Sequence, residues 1–197
     1  KYLVNLMGFD LATNKMKREG PIGVKPRSFI VNLVSEFVRR RGLNISNDEV
    51  ESIFQIVDQK TSKDMLPLLK VLPGVHQLLL KLTQHDIDSY ITTTDITSRA
   101  IIAMKTLKFD CFFNKIIGSD LVNNSKPSGD LAMLALKDVD YEPKNVVVIG
   151  DHPFDVQMGE DINSGLNIGV LTGISDSRMF SGLNCIFVKD LSSIEIN

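Results

Sequence analysis

Two aspartates that follow a strongly apolar run have the residue type and the spacing to bind a cation. The run "VVVIG" ends at Gly150, Asp151 follows it directly, and Asp155 comes four residues later. A loop followed by the first turn of a helix can direct both carboxylates at one ion, and such oxygens, with room left for water and phosphate, are the ligands that Mg²⁺ prefers. The alternative for one such aspartate alone is a helix N-cap. Together, Asp151 and Asp155 predict a magnesium site.

Polar side chains follow three further apolar runs. Asp10 ends "LMGFD", Thr93 and Thr94 end "YITTT", and Lys126 precedes a proline in "SKPSGD". In an open α/β sheet, ligands bind beyond the carboxyl ends of the strands, so these residues are candidates for one site. Taken singly, each has an ordinary alternative: a strand-end cap for the aspartate, strand propensity for the threonines, and a solvated surface position for the lysine.

The combined residue types are those of phosphoryl transfer. Asp10 could attack phosphorus as a carboxylate nucleophile and form an aspartyl phosphate that water then hydrolyses. Thr93 or Thr94 would donate hydrogen bonds to the phosphoryl oxygens, and Lys126 would neutralise their charge. The sequence therefore predicts Asp10, Thr93 and Lys126 as catalytic residues and Thr93, Thr94 and Lys126 as substrate-binding residues. Asp151 and Asp155 are the predicted metal ligands.

Short apolar runs that alternate with helix-period segments must position these residues. The pattern predicts an α/β fold, a doubly wound (Rossmann-like) parallel sheet with a small helical cap insertion. The predicted strands are residues 2–9, 89–93, 115–118, 145–150, 167–171 and 185–188. The predicted helices between them are residues 75–82, 97–107, 130–137 and 154–162.

Residues 15–69 have helical periodicity without a convincing strand, as in "IVNLVSEF" and "VESIFQIV". They predict the inserted helical cap, and residues 1–14 together with 70–197 predict the α/β core. The 197 residues are 43% hydrophobic and 23% charged, with a net charge of −2. This composition predicts a cytoplasmic protein with no nucleic-acid or membrane partner, and neither a membrane span nor a signal peptide is predicted. The oligomeric state is left open.

The order of these residues along the chain resembles that of the haloacid dehalogenase superfamily of phosphohydrolases, in particular its phosphoglycolate-phosphatase-like branch. "LPGVHQLLLKL" is similar to the family's return from the cap, "KPSGDLAMLAL" to its lysine motif and "VVVIGDHPFDVQMGEDINSGLNIGVLTG" to its acidic motif. The resemblance implies Asp10 as nucleophile and metal ligand, Thr93 as phosphate binder, Lys126 as charge clamp, and Asp151 and Asp155 as metal-site acids. It further implies Mg²⁺ as the cofactor and a small phosphorylated metabolite as the substrate.

The first motif departs from the family pattern, because Ala12 stands where the family usually has a second aspartate. That acid protonates the leaving group, and loss of such help costs about 10²–10⁴-fold in rate. A competing alignment places Asn5 on the motif and removes both acids, which predicts a catalytically silent binding module. A third reading is a phosphonate-cleaving hydrolase, a branch that also has alanine here together with a cap lysine, for which Lys60 or Lys63 is the candidate.

Overall fold

The chain divides into two units, with the boundary between Leu69 and Lys70. The computed structural model describes residues 2–17, 20–173 and 175–196, apart from the side chains of residues 62, 63 and 65. Among the helices in these ranges, none combines the length and the apolar composition that crossing a membrane requires.

The unit of residues 1–69 is mainly helical. Its described elements are α1 (Tyr2–Leu6), β1 (Phe9–Asp10), β2 (Lys15–Met16), α2 (Arg27–Arg39) and α3 (Asn47–Met65). The two short strands form an antiparallel hairpin in which Phe9 lies opposite Met16 and Asp10 opposite Lys15. The helical periodicity predicted for residues 15–69 is confirmed by α2 and α3, whereas β2 was not predicted.

The helices α2 and α3 form because one stripe of each is apolar and because α3 has a capped start. Ile30, Val31 and Val34 of α2 are buried together with Val50 of α3. The segment "SNDE" at the start of α3 forms a capping box, in which the Glu49 N–H donates to the Ser46 hydroxyl at 3.2 Å and the Ser46 N–H donates to the Glu49 carboxylate at 2.8 Å.

The strand predicted for residues 2–9 is wrong, because most of this segment is the helix α1. Leu3 and Met7 pack against the buried apolar cluster of α2 and α3, so helical geometry places their side chains on one apolar face. Gly8 then turns the chain with φ of +95°, and no side chain fits there because the Gly20 backbone lies too close. Residues 1–14 accordingly group with the helical unit and not with the α/β unit as the sequence predicted.

The unit of residues 70–197 has the alternating order of helices and strands that the sequence predicted. Its described helices are α4 (Val75–Gln84), α5 (Thr97–Leu107), α6 (Asp130–Ala135) and α7 (Pro153–Asp161). Its described strands are β3 (Tyr90–Thr93), β4 (Lys115–Gly118), β5 (Val147–Gly150), β6 (Leu166–Val170) and β7 (Ile186–Val188). The predicted α/β class is therefore confirmed, with element boundaries shifted by a few residues at most.

These strands form two parallel pieces, β3–β4 and β5–β6–β7. One core joins the two pieces, because Ile117 of β4 and Val148 of β5 are buried in the same cluster as Leu131 of α6 and Met158 of α7. A single sheet that included residues 2–9 was predicted. The difference follows from the helical state of that segment.

Both β3 and β5 have one edge that pairs with no strand among the described residues. The Gly165 N–H donates to the carbonyl of Val146 at 3.0 Å, so the backbone groups of Val146 and Val148 point toward β6. Because the backbone N–H and C=O groups of successive strand residues point to opposite edges, the backbone groups of Val147 and Ile149 point toward the unpaired edge of β5. The side chains of Val147 and Ile149 are 50% and 38% exposed.

Candidate active site

An ammonium–carboxylate pair joins β3, α7 and the loop between β4 and α6. Lys126, in that loop, donates from Nζ to Asp155 Oδ1 at 2.7 Å and to the carbonyl oxygen of Thr92 at 2.8 Å. The side chains of Lys126 and Asp155 are only 10% and 11% exposed. Charges this deeply buried need such partners. The structure thus brings together two residues that the sequence predicted for the site, and the alternative of a solvated surface position does not hold for Lys126.

Asp155 is fixed by contacts on several sides. Its Oδ2 accepts from the backbone N–H of His152 at 3.0 Å, while His152 Nδ1 accepts from the N–H of Phe154 at 3.1 Å. This variant of the capping box begins α7. Gly150 adjoins the same carboxyl, because a Cβ at this position would overlap the Asp155 side chain. The N-cap of α7 is therefore His152, and Asp155 is the third residue of the helix, whose carboxylate also binds Lys126.

Asp151 directly follows β5, and its side chain reaches solvent. Protein atoms still crowd one side of it, since a Cβ at Gly173 would overlap the Asp151 carboxyl. This partial burial raises the pKa of the Asp151 carboxyl, and the nearby Asp155 carboxylate raises it further, whereas His152 and Lys126 lower it. The surroundings therefore disfavour the ionised form of Asp151, and a bound cation would offset that cost.

Asp151→Asn is expected to raise the melting temperature of the protein at neutral pH. Because the Asp151 carboxyl has a higher pKa in the folded than in the unfolded chain, its ionisation lowers stability at every pH above the folded pKa. Asparagine removes this cost. The gain should shrink as the pH falls through the raised pKa toward the ordinary value of 3.8. Thermal unfolding of both proteins over a series of pH values measures the effect.

The control is Asp130→Asn, which is expected to lower the melting temperature at neutral pH. Hydrogen bonds from the Ser128 hydroxyl and from Asn124 hold the pKa of the Asp130 carboxyl below its usual value, so its ionised form stabilises the fold at neutral pH. That stability is lost as the pH falls through the lowered pKa. A melting temperature of Asp151→Asn at or below that of the parent at neutral pH would contradict the prediction.

Thr93 ends β3, and the loop after it is held by hydrogen bonds. The Thr93 hydroxyl oxygen accepts from the backbone N–H of Asp95 at 3.1 Å, and its own hydrogen remains a donor. The carbonyl oxygen of Thr94 accepts from the hydroxyl of Ser119 at 2.7 Å. Sequence reasoning did not identify Ser119, because a serine that follows a strand has no distinguishing pattern.

Asp10 belongs to the unit of residues 1–69, where it ends β1. Its Oδ1 accepts from the N–H of Ala12 at 2.8 Å, and this bond, followed by one from the Thr13 hydroxyl, holds the pKa of the Asp10 carboxyl below its usual range. The strand that carries Asp10 is antiparallel to β2, so the parallel strand end predicted for it is wrong. Lys60 is exposed on α3, and the Lys63 side chain lies outside the described residues.

The two carboxylates of this site, Asp151 and Asp155, are of the type and number that could hold a divalent cation together with water and phosphate. Among residues 2–17, 20–173 and 175–196, no three His, Cys, Asp or Glu side chains lie together as a metal cluster. Mg²⁺ keeps several water molecules and is usually bound through one or two carboxylates plus phosphate. Asp151, whose ionised form is disfavoured by burial and by the neighbouring Asp155 carboxylate, suits the direct contact, while Asp155 is already bonded to Lys126 and His152.

A sequence model of the haloacid dehalogenase-like hydrolase family matches residues 24–169 of the chain. A phosphorylated carbohydrates phosphatase from Thermotoga maritima is 24% identical over 131 residues, which cover 66% of this chain and 61% of the relative. The pyrophosphatase PpaX from Listeria monocytogenes is 26% identical over 127 residues, which cover 64% of this chain and 57% of the relative. The chain thus spans about three fifths of the length of these curated relatives.

Solved structures share the fold at low sequence identity. The β-phosphoglucomutase from Clostridium difficile matches with a TM-score of 0.75 and 18% identity, over 98% of this chain and 82% of the other. CbbY from Rhodobacter sphaeroides, solved in complex with phosphate, matches with a TM-score of 0.74 and 15% identity, over 98% and 85%. The predicted family relationship, drawn from the order of the motifs, is confirmed by the match of the family model, and the solved structures share the fold.

Proposed function

Because the chain belongs to the haloacid dehalogenase-like hydrolase family, we propose that it hydrolyses the phosphate ester of a small metabolite with the help of Mg²⁺. The observation that carries this proposal is the buried ammonium of Lys126, which Thr92 and Asp155 hold beside the carboxyl ends of parallel strands. Phosphoryl transfer is catalysed mainly by positioning and by neutralising charge. A fixed cation at the ligand end of a parallel sheet serves both needs.

Lys126 has the role of charge clamp in this proposal. An ammonium group has three donors, and the carbonyl of Thr92 and the carboxylate of Asp155 accept two of them. We assign the third donor to an oxygen of the transferring phosphoryl group. Because the lysine is already held in place, little reorganisation is needed when the charge of the transition state develops.

The Thr93 hydroxyl is the proposed second donor to the phosphoryl oxygens. Its oxygen accepts from Asp95, which fixes the direction in which the hydroxyl hydrogen can point. Thr94 is proposed as a further substrate contact. Asp151 is the proposed direct ligand of Mg²⁺, with Asp155 and Asp10 as the further acids, and a bound divalent cation would neutralise charge on the phosphoryl oxygens.

Asp10 is the proposed nucleophile. Hydrogen bonds from Ala12 and Thr13 lower the pKa of its carboxyl, so the carboxylate that attack requires is present at neutral pH. In the proposed step an Asp10 oxygen bonds to phosphorus while the bond from phosphorus to the ester oxygen breaks. Water then attacks the phosphorus, releases phosphate and restores Asp10. Because Ala12 offers no proton, the leaving oxygen takes its proton from solvent.

A catalytically silent module is the second candidate, and two observations favour it. Ala12 has a methyl group in place of the family's second acid. The match to the family begins at residue 24, so both Asp10 and Asn5 lie outside the matched range. A protein of this kind would use the fold to bind a phosphorylated compound without cleaving it.

Magnesium-dependent release of phosphate from p-nitrophenyl phosphate is the expected result if the enzyme reading is correct. Without an acid at position 12, aryl phosphates should be cleaved at least about 10-fold faster than alkyl phosphates, whose leaving oxygens need a proton. Asp10→Asn should abolish the activity, while Asp48→Asn, a change on the exposed first turn of α3, should leave it intact. Binding of phosphate without turnover would instead support the silent module.

A further inference from the structure

A network of hydrogen bonds connects the loop after β3 to the loop after β4. Ser119, which is only 8% exposed, donates from its hydroxyl to the carbonyl of Thr94 at 2.7 Å. Its backbone N–H donates to the carbonyl of Asp95 at 3.0 Å. One residue thus holds two consecutive carbonyl groups of the loop that follows the proposed phosphate-binding threonine.

A second attachment lies at the far end of the same loop. Asp120 Oδ1 accepts from both the N–H and the hydroxyl of Thr97, at 2.7 and 2.8 Å, and the Thr97 hydroxyl oxygen accepts from the N–H of Gly118 at 3.0 Å. Gly118 has no room for a side chain, because a Cβ there would overlap Thr97 and Asp120. The loop between β3 and α5 is therefore tied to the loop after β4 at both ends.

The network reaches the Thr93 hydroxyl through one intermediate residue. Ser119 holds the carbonyl of Asp95, and the N–H of Asp95 donates to Thr93 Oγ1 at 3.1 Å. Exposed loops are usually the most mobile parts of a fold, and a catalytic group displaced by about 1 Å can lose on the order of 10²-fold in rate. A residue that fixes this loop therefore controls how well the hydroxyl is aimed.

We propose that Ser119 is a positioning residue, which holds the loop of residues 93–95 so that the Thr93 hydroxyl meets the transferring phosphoryl group. This inference rests on the proposed function. Ser119→Ala removes the donor to the Thr94 carbonyl but keeps the backbone bond to Asp95. The loop then loosens while the fold persists, so binding changes less than turnover.

The test compares Ser119→Ala and Ser119→Thr with the parent protein, using p-nitrophenyl phosphate and Mg²⁺. Ser119→Ala should lower kcat about 10-fold and change KM by less than about threefold, because imprecise aim affects the transition state more than the ground state. Ser119→Thr keeps the hydroxyl and should recover at least about half of the parent kcat, since its donor to the Thr94 carbonyl remains.

The matched control is Ser164→Ala, which removes a hydroxyl that donates to the Asn167 side chain at 2.8 Å, before β6 and at the opposite end of the sheet. It should lower the melting temperature as much as Ser119→Ala without lowering kcat. If the parent protein is active and Ser119→Ala has the same kcat, the positioning role alone is overturned. The same holds if Ser119→Ala and Ser164→Ala lose kcat to the same extent. A parent that neither hydrolyses the ester nor binds inorganic phosphate in calorimetry would overturn the proposed function and this inference together.

Discussion

Lys126→Ala is expected to cost about 3 kcal/mol of folding free energy and to lower the rate of phosphate release by about 10²–10³-fold. The stability loss arises because the Asp155 carboxylate, 11% exposed, stays buried without its cation. Breaking a buried pair typically costs about 3–5 kcal/mol, and the lower end applies here because His152 still donates to Asp155. The rate falls because the fixed charge beside the phosphoryl group is lost.

Two lysines supply the controls for this prediction. Lys115 pairs with Asp138 at 2.8 Å on the surface, where both partners are much more exposed, so Lys115→Ala should cost far less stability than Lys126→Ala. Lys60→Ala, on the exposed side of α3, should leave activity unchanged. Urea unfolding and steady-state kinetics measure both quantities. A larger loss of activity in Lys60→Ala than in Lys126→Ala would favour the phosphonate-cleaving reading.

Gly150→Ala is expected to lower activity by about 10²-fold and stability by about 1–3 kcal/mol, although it adds a single methyl group. That methyl group would overlap the side chain of Asp155. Asp155 has no free direction in which to move, because Lys126 and the His152 N–H each hold one of its carboxylate oxygens. The clash must therefore displace the ammonium pair or the start of α7.

Gly182→Ala separates this clash from an ordinary loss of stability. Gly182 has φ of +84° and open space around it, so alanine there strains the backbone by about 1–2 kcal/mol without touching the site. We expect urea unfolding to show similar losses of stability in the two variants. Activity should fall only in Gly150→Ala. Full activity in a folded Gly150→Ala protein would show that the Asp155 carboxylate need not be held as tightly as the structure has it.

The α/β unit was predictable because buried parallel strands have short apolar sequences, and these alternate along the chain with segments of helical periodicity. The strand β4 and the helix α5 were predicted to the residue; β4 pairs with β3, the strand that ends at Thr93, and α5 follows β3 along the chain. Residues 2–9 were mispredicted because a short apolar run fits a buried strand and a buried helix face equally well. The packing of Leu3 and Met7 on α2 and α3, which decides between them, is a tertiary contact that the local sequence does not record.

Of the candidate site, the sequence predicted only those residues whose side chains have a distinctive chemical type and sequence context. The lysine before proline and the two acids after an apolar run drew attention to Lys126, Asp151 and Asp155. The carbonyl of Thr92, which accepts from Lys126, has no sequence signature because every residue has a carbonyl. Asp10 was assigned through its expected place at a parallel strand end, and that place depended on the mispredicted strand.

The open edge of β5 has a consequence for the handling of the protein. A strand edge with unpaired backbone groups and apolar neighbours is a template on which another chain can add a strand. Val147 and Ile149 present such an edge, flanked by no charged residue within β5. We therefore expect edge-to-edge aggregation in concentrated preparations of this chain. Stocks are best kept dilute and at a pH well away from the isoelectric point of about 5.9, and concentrated only shortly before use.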